Sequence, residues 1–480
     1  MYDVAIIGCG IIGAATAYEL SRYKLKVAVL EASNDVSNAT TKANSAILHA
    51  GYDPEPGTLM ARLNVTGVEM AKELCEKLDV ERGQVGSLVL AFDEDDMKLV
   101  RRLFHNGEEN GVPGLRILKK EEVIAMEPQV SKKVIGALYA PSAAIVSPWE
   151  LCIALSEMAV ENGAELFLDS PATAIDKEAD GSYTVHTPGG DFQARYIVNA
   201  AGCNADQVHE MVGGCGFTTK PNVGEYYLLD KTQNAMANHV IFQCPTKEGK
   251  GVLVSPTVHG NLIVGPNASA VEHDNDVANS AQGLDYVRRL AQKSVPGINF
   301  RENIRNFAGV RANTDHDDFI IEESRQAKGF INLAGIKSPG LSAAPAIGVM
   351  AVELLQKAGL ATEKKDHFID TRKRTIFRRM TPQQRKEAIE KNPLYGRVVC
   401  RCETITEGEI VDAIHRPIVP KSIDGIKRRC NPGMGRCQGG FCGPRVHEIL
   451  SRELGIPMDQ IEMDEHGSYI LTTPTKEAAV

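Results

Sequence analysis

Residues 2–31, YDVAIIGCGIIGAATAYELSRYKLKVAVLE, decide the fold. YDVAIIG is a short apolar run of strand character, IIGAATAYELSR is an amphipathic helix, and KVAVLE is a second strand ending in Glu31. Gly8, Gly10 and Gly13 spell G-x-G-x-x-G across the first strand–helix turn. Gly8 permits the tight turn, Gly10 lets a pyrophosphate approach the backbone, and Gly13 lets helix and strand pack closely. The helix start offers free N–H groups to phosphate. Glu31, eighteen residues after Gly13, is placed to accept hydrogen bonds from ribose hydroxyls. The unit predicts a dinucleotide site for either FAD or NAD.

The rest of the chain bounds what can be built around that unit. At 480 residues it is long enough for two or three domains, and 43% hydrophobic with 24% charged residues is a globular composition. A net charge of −9 argues against nucleic acid or an anionic membrane as the main partner. No basic leader precedes the first apolar stretch and no run of eighteen apolar residues occurs, so a cytoplasmic chain without a transmembrane segment is expected. Six of the eleven cysteines (Cys9, Cys75, Cys152, Cys203, Cys215, Cys244) stand singly, as small buried hydrophobes do. The other five fall within 43 residues near the C-terminus, and in a reducing compartment such a cluster points to metal rather than disulfides.

Further pieces of a flavin site follow in order. YIVNAAGCNAD (196–206) is a buried strand with a small-residue turn, and GFINLAGIKSPGLSAAPAIG (329–348) is a strand, a turn and a helix start at Gly340, Leu341 and Ser342. Together with GCGIIG, Glu31 and TTKANSAILHAG (40–51), these motifs resemble the amino-acid-oxidase-like family of FAD-dependent oxidoreductases over residues 1–360. The resemblance implies an α/β fold: a Rossmann-like FAD-binding domain (1–85, 146–215, 306–360) with an inserted α+β substrate domain (86–145, 216–305). It also implies FAD contacts at Gly8, Gly10, Ile12, Gly13, Glu31, Ala32, Thr41, Lys42, Asn44, Ser45, Ala46, Ala172, Ala201, Gly202, Gly335, Ser338, Gly340, Leu341 and Ser342.

GEYYLLD (224–230), VLVSPTVHGNLIVGP (252–266) and HAGYDPEPGTLMARL (49–63) are similar to segments of flavin dehydrogenases of anionic secondary alcohols, the glycerol 3-phosphate and L-2-hydroxyglutarate groups. That likeness implies oxidation of sn-glycerol 3-phosphate to dihydroxyacetone phosphate, with a 2-hydroxy acid, or an amine or imino acid, as alternative substrates. Such chemistry needs a cation for the substrate's anion and a base for its hydroxyl proton. Arg311, in FAGVRANTD, is the candidate cation and His49 the candidate base; Tyr226, Lys337 and His259 are further substrate-shell candidates. PNV before GEYY and a lysine at 337 depart from the relatives' pattern, which leaves a subunit with a silent pocket as a further reading.

After residue 360 the chain turns basic. Residues 361–397 read as a solvated linker holding one helix, capped by Thr381, Pro382 and Gln384. Cys400-x-Cys402 and Cys437-x4-Cys442 then supply four thiolates for zinc or an iron–sulfur cluster. The spacing, with GRCQGGFC, resembles the bacterioferritin-associated ferredoxin type of small helical [2Fe–2S] domain, here 398–452, followed by a tail (453–480). Thr404 with Glu407, and Pro444, are expected to start helices beside the two cysteine pairs, with Arg401, Arg436 and Arg445 offsetting the cluster's charge. Cys430 fits neither pair and reads as a spare thiol. A one-electron centre joined to a flavin implies a dehydrogenase that passes electrons to a second redox subunit, with peripheral membrane association through that partner.

Overall fold

The computed structural model describes residues 1–214, 216–245, 251–271, 273 and 276–473; Cys215 and the end of the tail lie outside the described residues. The opening strand Tyr2–Ile7 runs parallel between Val27–Leu30 and Gly190–Asn199. Glu165–Phe167 and Phe330–Ala334 extend this parallel set on either side. An antiparallel meander, Ala174–Lys177 and Tyr183–Thr187, pairs with the first half of Gly190–Asn199, and Ile320–Glu323 closes against Phe330–Ala334. Both faces of the central strand are covered, so alternate residues serve two cores. Val4 and Ile6 face the helices, while Ala5 and Ile7 face the meander.

The helix layer consists of Ile11–Leu20, Leu59–Lys77, Pro148–Glu161 and Gly340–Lys357. The first helix is not amphipathic as expected: every residue but Glu19 is buried, because the sheet and two helices enclose it. Small residues make that possible. A Cβ at Gly348 would stand 2.7 Å from the Ala15 carbonyl oxygen, and one at Gly67 would overlap the Ser342 carbonyl.

A second, nine-stranded sheet is built from residues 87–140 and 222–311. One face packs on helices Lys120–Met126 and Ala281–Ser294 through Val123, Leu262 and Val287. The other turns Tyr226, Val240, Leu253 and Ile263 toward Ile47 and Ile145 of the first body. Strand Asn303–Arg311 crosses the boundary expected at residue 306: its antiparallel ladder with Asn222–Leu229 continues to the Arg311–Asn222 pair, so all of it belongs to the second sheet.

The C-terminal quarter corrects two expectations. Residues 361–397 are a strap rather than a solvated linker, because the basic run meets buried acids. Arg372 Nε donates to Glu157 at 2.6 Å, Arg374 pairs with Glu150, and Phe377 is buried. Its one α-helix, Pro382–Lys391, has the expected Thr381–Gln384 capping box. Beyond it, helices Glu407–Ile414, Ile423–Cys430 and Gly443–Leu454 enclose a small core of Ile410, Ile426, Ile449 and Leu450. The first of these is capped by Thr406 and Glu409, not Thr404 and Glu407; Thr404 has φ 54° and belongs to the turn carrying Cys402. The first part of the tail packs: Ile461 is buried, and the Ile423 and Asp424 N–H groups donate to Glu462 and Met463, whereas Tyr469, Ile470 and Leu471 are exposed. Among the described residues no helix is long and apolar enough to cross a membrane.

Candidate active site and cysteine centre

The glycine turn has the geometry of a phosphate cradle. Gly8 has φ 97°, and a Cβ there would stand 2.5 Å from the Ala200 carbonyl oxygen; a Cβ at Gly13 would overlap Gly8 itself. Gly10 is the N-cap and brings no capping side chain, which leaves the Ile12 end of the helix open to an anion. Thr41 closes one side, its Oγ1 accepting from Ile11 N at 3.0 Å. Glu31 is partly buried just past the second strand's end, where its carboxylate accepts from Cys9 N (2.7 Å) and Ser33 N (2.9 Å). Burial still holds its pKa above the ordinary carboxylate value. A partly buried acid at the strand end, two glycines without room for a Cβ and a helix start whose N-cap is a glycine together fit the adenosine diphosphate half of FAD. Ala201 and Gly202 (φ 60°) form the turn beside Gly8, whereas Ala32 is exposed and Ala172 packs partly against the meander core.

Residues 40–51 cross from this cradle to the second sheet. Thr40 Oγ1 donates to Val310 O at 2.7 Å, and a Cβ at Gly309 would overlap Ala43, so the run lies directly against strand Asn303–Arg311. Asn44 shapes the turn: its Oδ1 accepts from Ala46 N at 2.8 Å, its Nδ2 donates to Thr41 O at 2.9 Å, and Ala46 takes φ 59°. Ser45 Oγ lies 3.1 Å from the hydroxyl of Tyr226, whose ring stacks on Phe307. Lys42 points elsewhere. Its Nζ reaches Asn38, Asp464 and Glu465, so its charge ties down the tail.

His49 is fixed from both sides of its backbone: its N–H donates to Ser342 Oγ at 2.7 Å and its carbonyl accepts from Asn64 at 2.6 Å. Its ring packs on Phe242, with Nε2 3.4 Å from Ser338 Oγ in the Gly335–Ser342 turn. Helix Gly340–Lys357 starts there without a capping side chain, with Leu341 partly buried in its first turn. Gly335 has φ 64°, and Lys337 Nζ donates to His316 O at 3.0 Å. Arg311 ends its strand with Nη1 donating to Asn222 Oδ1 at 2.7 Å; a Cβ at Gly224 would stand 2.7 Å from its Nη2, which explains the glycine of GEYY. His259 is placed apart from these groups. It stacks on Trp149, with Nδ1 3.4 Å from Glu81, and Glu81 in turn receives Arg378 and Arg379 of the strap.

The four cysteines converge as two pairs, Cys400 with Cys442 and Cys402 with Cys437. Cys400 is pulled down to about 6 by the hydrogen bond from Cys442, with Gly433 and Glu403 N–H groups also aimed at it. The N–H groups of Phe441 and Gly439 hold Cys437 below the ordinary thiol value. Cys442 is the N-cap of helix Gly443–Leu454. A Cβ at Gly435 would overlap Cys402 and stand 3.3 Å from its sulfur. Among the described residues no three such donors close on a single-ion site. Two thiol pairs under converging N–H groups suit a two-iron cluster better than one tetrahedral zinc.

Comparison with known proteins resolves both halves. The model for FAD dependent oxidoreductases (DAO) matches residues 3–354. The chain belongs to the FAD-dependent oxidoreductase family. The BFD-like [2Fe-2S] binding domain matches residues 398–452, so this oxidoreductase uses FAD and carries a [2Fe–2S] domain. It is 51% identical over 477 residues, 99% of each chain, to a glycerol 3-phosphate dehydrogenase of Caloramator mitchellensis. It is 32% identical to a glycerol 3-phosphate oxidase of Mycoplasma genitalium, over 74% of this chain and 94% of the other. Among solved structures, the dithionite-reduced, FAD-bound L-alpha-glycerophosphate oxidase of Mycoplasma pneumoniae aligns at 31% identity with a TM-score of 0.74, over 77% of this chain and 98% of that one.

Sequence reasoning missed the joint between the family's two halves. Arg429, fully buried, donates to both oxygens of Asp35 at 2.7 and 2.8 Å, four residues after Glu31. Arg428 joins Asp35 to Asp464, Glu403 beside Cys402 receives Lys231 and Arg378, and Arg436 reaches Glu302. The RR pair just before Cys430 and the lone acid in SNDVSN were the available signals. The five described single cysteines are buried as expected, and Cys430 is partly buried, with burial pushing its thiol well up.

Proposed function

We propose that this chain oxidises sn-glycerol 3-phosphate to dihydroxyacetone phosphate and delivers the electrons through its [2Fe–2S] centre to a protein acceptor. The observation that carries the reading is the clamped C-terminal unit. The oxidases are matched over 94% of their own length by 74% of this chain, whereas the similar dehydrogenase spans 99% of it. A flavin that gives its electrons to oxygen needs no such unit; one that feeds another protein needs a one-electron exit.

FAD supplies the hydride acceptor when bound, at the residues of the glycine cradle, the 40–46 run and the Gly335–Ser342 turn. Arg311 is the group for the substrate's phosphate, at the rim of the second sheet, with Asn222 holding its fork in plane. His49 takes the hydroxyl proton at Nε2, its backbone clamped by Ser342 and Asn64 so that the ring keeps one orientation. Tyr226, bonded to Ser45, closes the pocket wall on the side of the second sheet. Lys337 adds positive charge to the turn carrying Ser338, which suits a doubly charged phosphate better than a carboxylate. His259, packed on Trp149 and Glu81, holds the strap instead of the substrate.

Anaerobic titration decides it. Flavin and iron–sulfur bands should bleach with glycerol 3-phosphate and persist with L-2-hydroxyglutarate. Bleaching by the hydroxy acid alone would replace the substrate, and persistence with both would leave an electron-transfer subunit with a silent pocket.

A further inference from the structure

The cluster domain has two unlike sides. One is spent on the body of the enzyme, through Glu403 to Lys231, Arg436 to Glu302 and Arg429 to Asp35. The other carries Phe441, between Cys437 and Cys442, at 90% exposure; the next most exposed large hydrophobic side chain among the described residues is Met1 at 63%. Glycines at 439, 440 and 443 flank Phe441 and leave its ring without cover. Arg401, between Cys400 and Cys402, is exposed and makes no ion pair among the described residues; Arg445, three residues after Cys442, is half exposed and pairs with Glu448. Cys402 is itself exposed, while Cys400 and Cys442 face the helical core.

The chain as a whole is acidic, at −9, yet the loops over the cysteines present a bare aromatic ring with arginines around it. Aromatic and arginine side chains at a desolvated centre are the composition of a protein docking site. We propose that the face around Phe441 is the electron-exit surface, and that its occupant is an acidic one-electron carrier protein. The carrier's carboxylates meet Arg401 and its apolar centre covers Phe441. One electron leaves the reduced cluster in each encounter and reduces the carrier's centre by one. A positive rim would also attract an anionic membrane, but these groups surround the redox centre itself, which is where an electron acceptor must approach. This deepens the proposed exit to a protein acceptor and rests on it; it does not depend on which alcohol is oxidised.

The test uses the full-length holoprotein, photoreduced under nitrogen so that no substrate is involved, and mixed by stopped flow with oxidised flavodoxin as an acidic carrier or with basic cytochrome c. Flavodoxin reduction should be fast and slow down as salt is raised, whereas the cytochrome reaction should be slow and speed up with salt. Phe441→Ser should slow flavodoxin reduction at least tenfold and leave reduction of the small neutral acceptor menadione unchanged. Equal rates for variant and parent, or the same salt dependence for both carriers, would overturn the proposal. So would Phe441-dependent sedimentation with phosphatidylglycerol vesicles together with unaltered flavodoxin kinetics, which would assign the face to lipid. Failure of glycerol 3-phosphate to bleach the flavin would leave this measurement standing.

Discussion

Single residues divide by whether their role is written in backbone or in side-chain terms. The glycines at 8 and 13 are legible because only glycine tolerates those approaches, and the structure shows a carbonyl where a Cβ would fall at each of them. Gly435 was not legible as a constraint, since its neighbour Cys402 is thirty-three positions away. Gly435→Ala should lower the iron and sulfide content of the purified protein while FAD content stays at the parent level. Arg311 was legible as a cation and Asn222, its partner across the ladder, was not. If Arg311 holds the phosphate, Arg311→Ala loses a charge-assisted hydrogen bond, about 1.5–3 kcal/mol, or roughly a 10- to 150-fold rise in KM for glycerol 3-phosphate. Steady-state assay with a dye acceptor reads this directly, and an unchanged KM would move the phosphate site elsewhere. His49→Gln should lower kcat by roughly 10²–10⁴-fold in the same assay while substrate binding stays near the parent level.

Elements were legible where local signals suffice and illegible where distant partners decide. The capping box at Thr381 needs only four adjacent residues, so pattern and structure agree. The strap and tail look solvated in sequence because their partners, Glu150, Glu157, Asn34 and Lys42, lie hundreds of positions earlier. His466, in the tail, lies 2.6 Å from Asp169 and 3.1 Å from Glu462, and the Asp169 bond chiefly raises its pKa. A raised histidine stabilises the docked tail fully below its ordinary pKa of about 6.5, and that contribution disappears as pH climbs through the elevated value. Hydrogen exchange of the tail segment, corrected for intrinsic rates, should therefore be faster at about pH 9 than at about pH 6. His466→Gln should remove that difference.

For the molecule as a whole, the joint is electrostatic, and its central pairs, Asp35 with Arg429 and Glu150 with Arg374, are buried. Burial alone would raise Asp35, but Arg429 and Arg428 outweigh it and hold the carboxyl below its usual range; Glu81 is likewise held at about 2 by His259 and Arg379 against its burial. Depressed carboxylates stabilise the fold above their ordinary pKa, about 4, and that stability is lost as pH falls toward the folded value. Residues 361–473 should become protease-sensitive between about pH 4 and pH 2, with little response to salt because the pairs are buried. Arg429→Met should cost about 3–5 kcal/mol by stranding Asp35, and adding Asp35→Leu should recover much of it. Thermal denaturation of the single and double variants measures both.

The same joint limits how freely nature or a designer could exchange parts. Cutting the chain after residue 360 would leave Asp35, Glu81, Glu150 and Glu157 as anionic holes in an otherwise finished enzyme. An oxygen-using version could not arise by simple loss of the C-terminal quarter; those four acids would have to be neutralised together with the deletion. The reverse transplant, adding a cluster to a stand-alone flavin enzyme, would need the acids planted first.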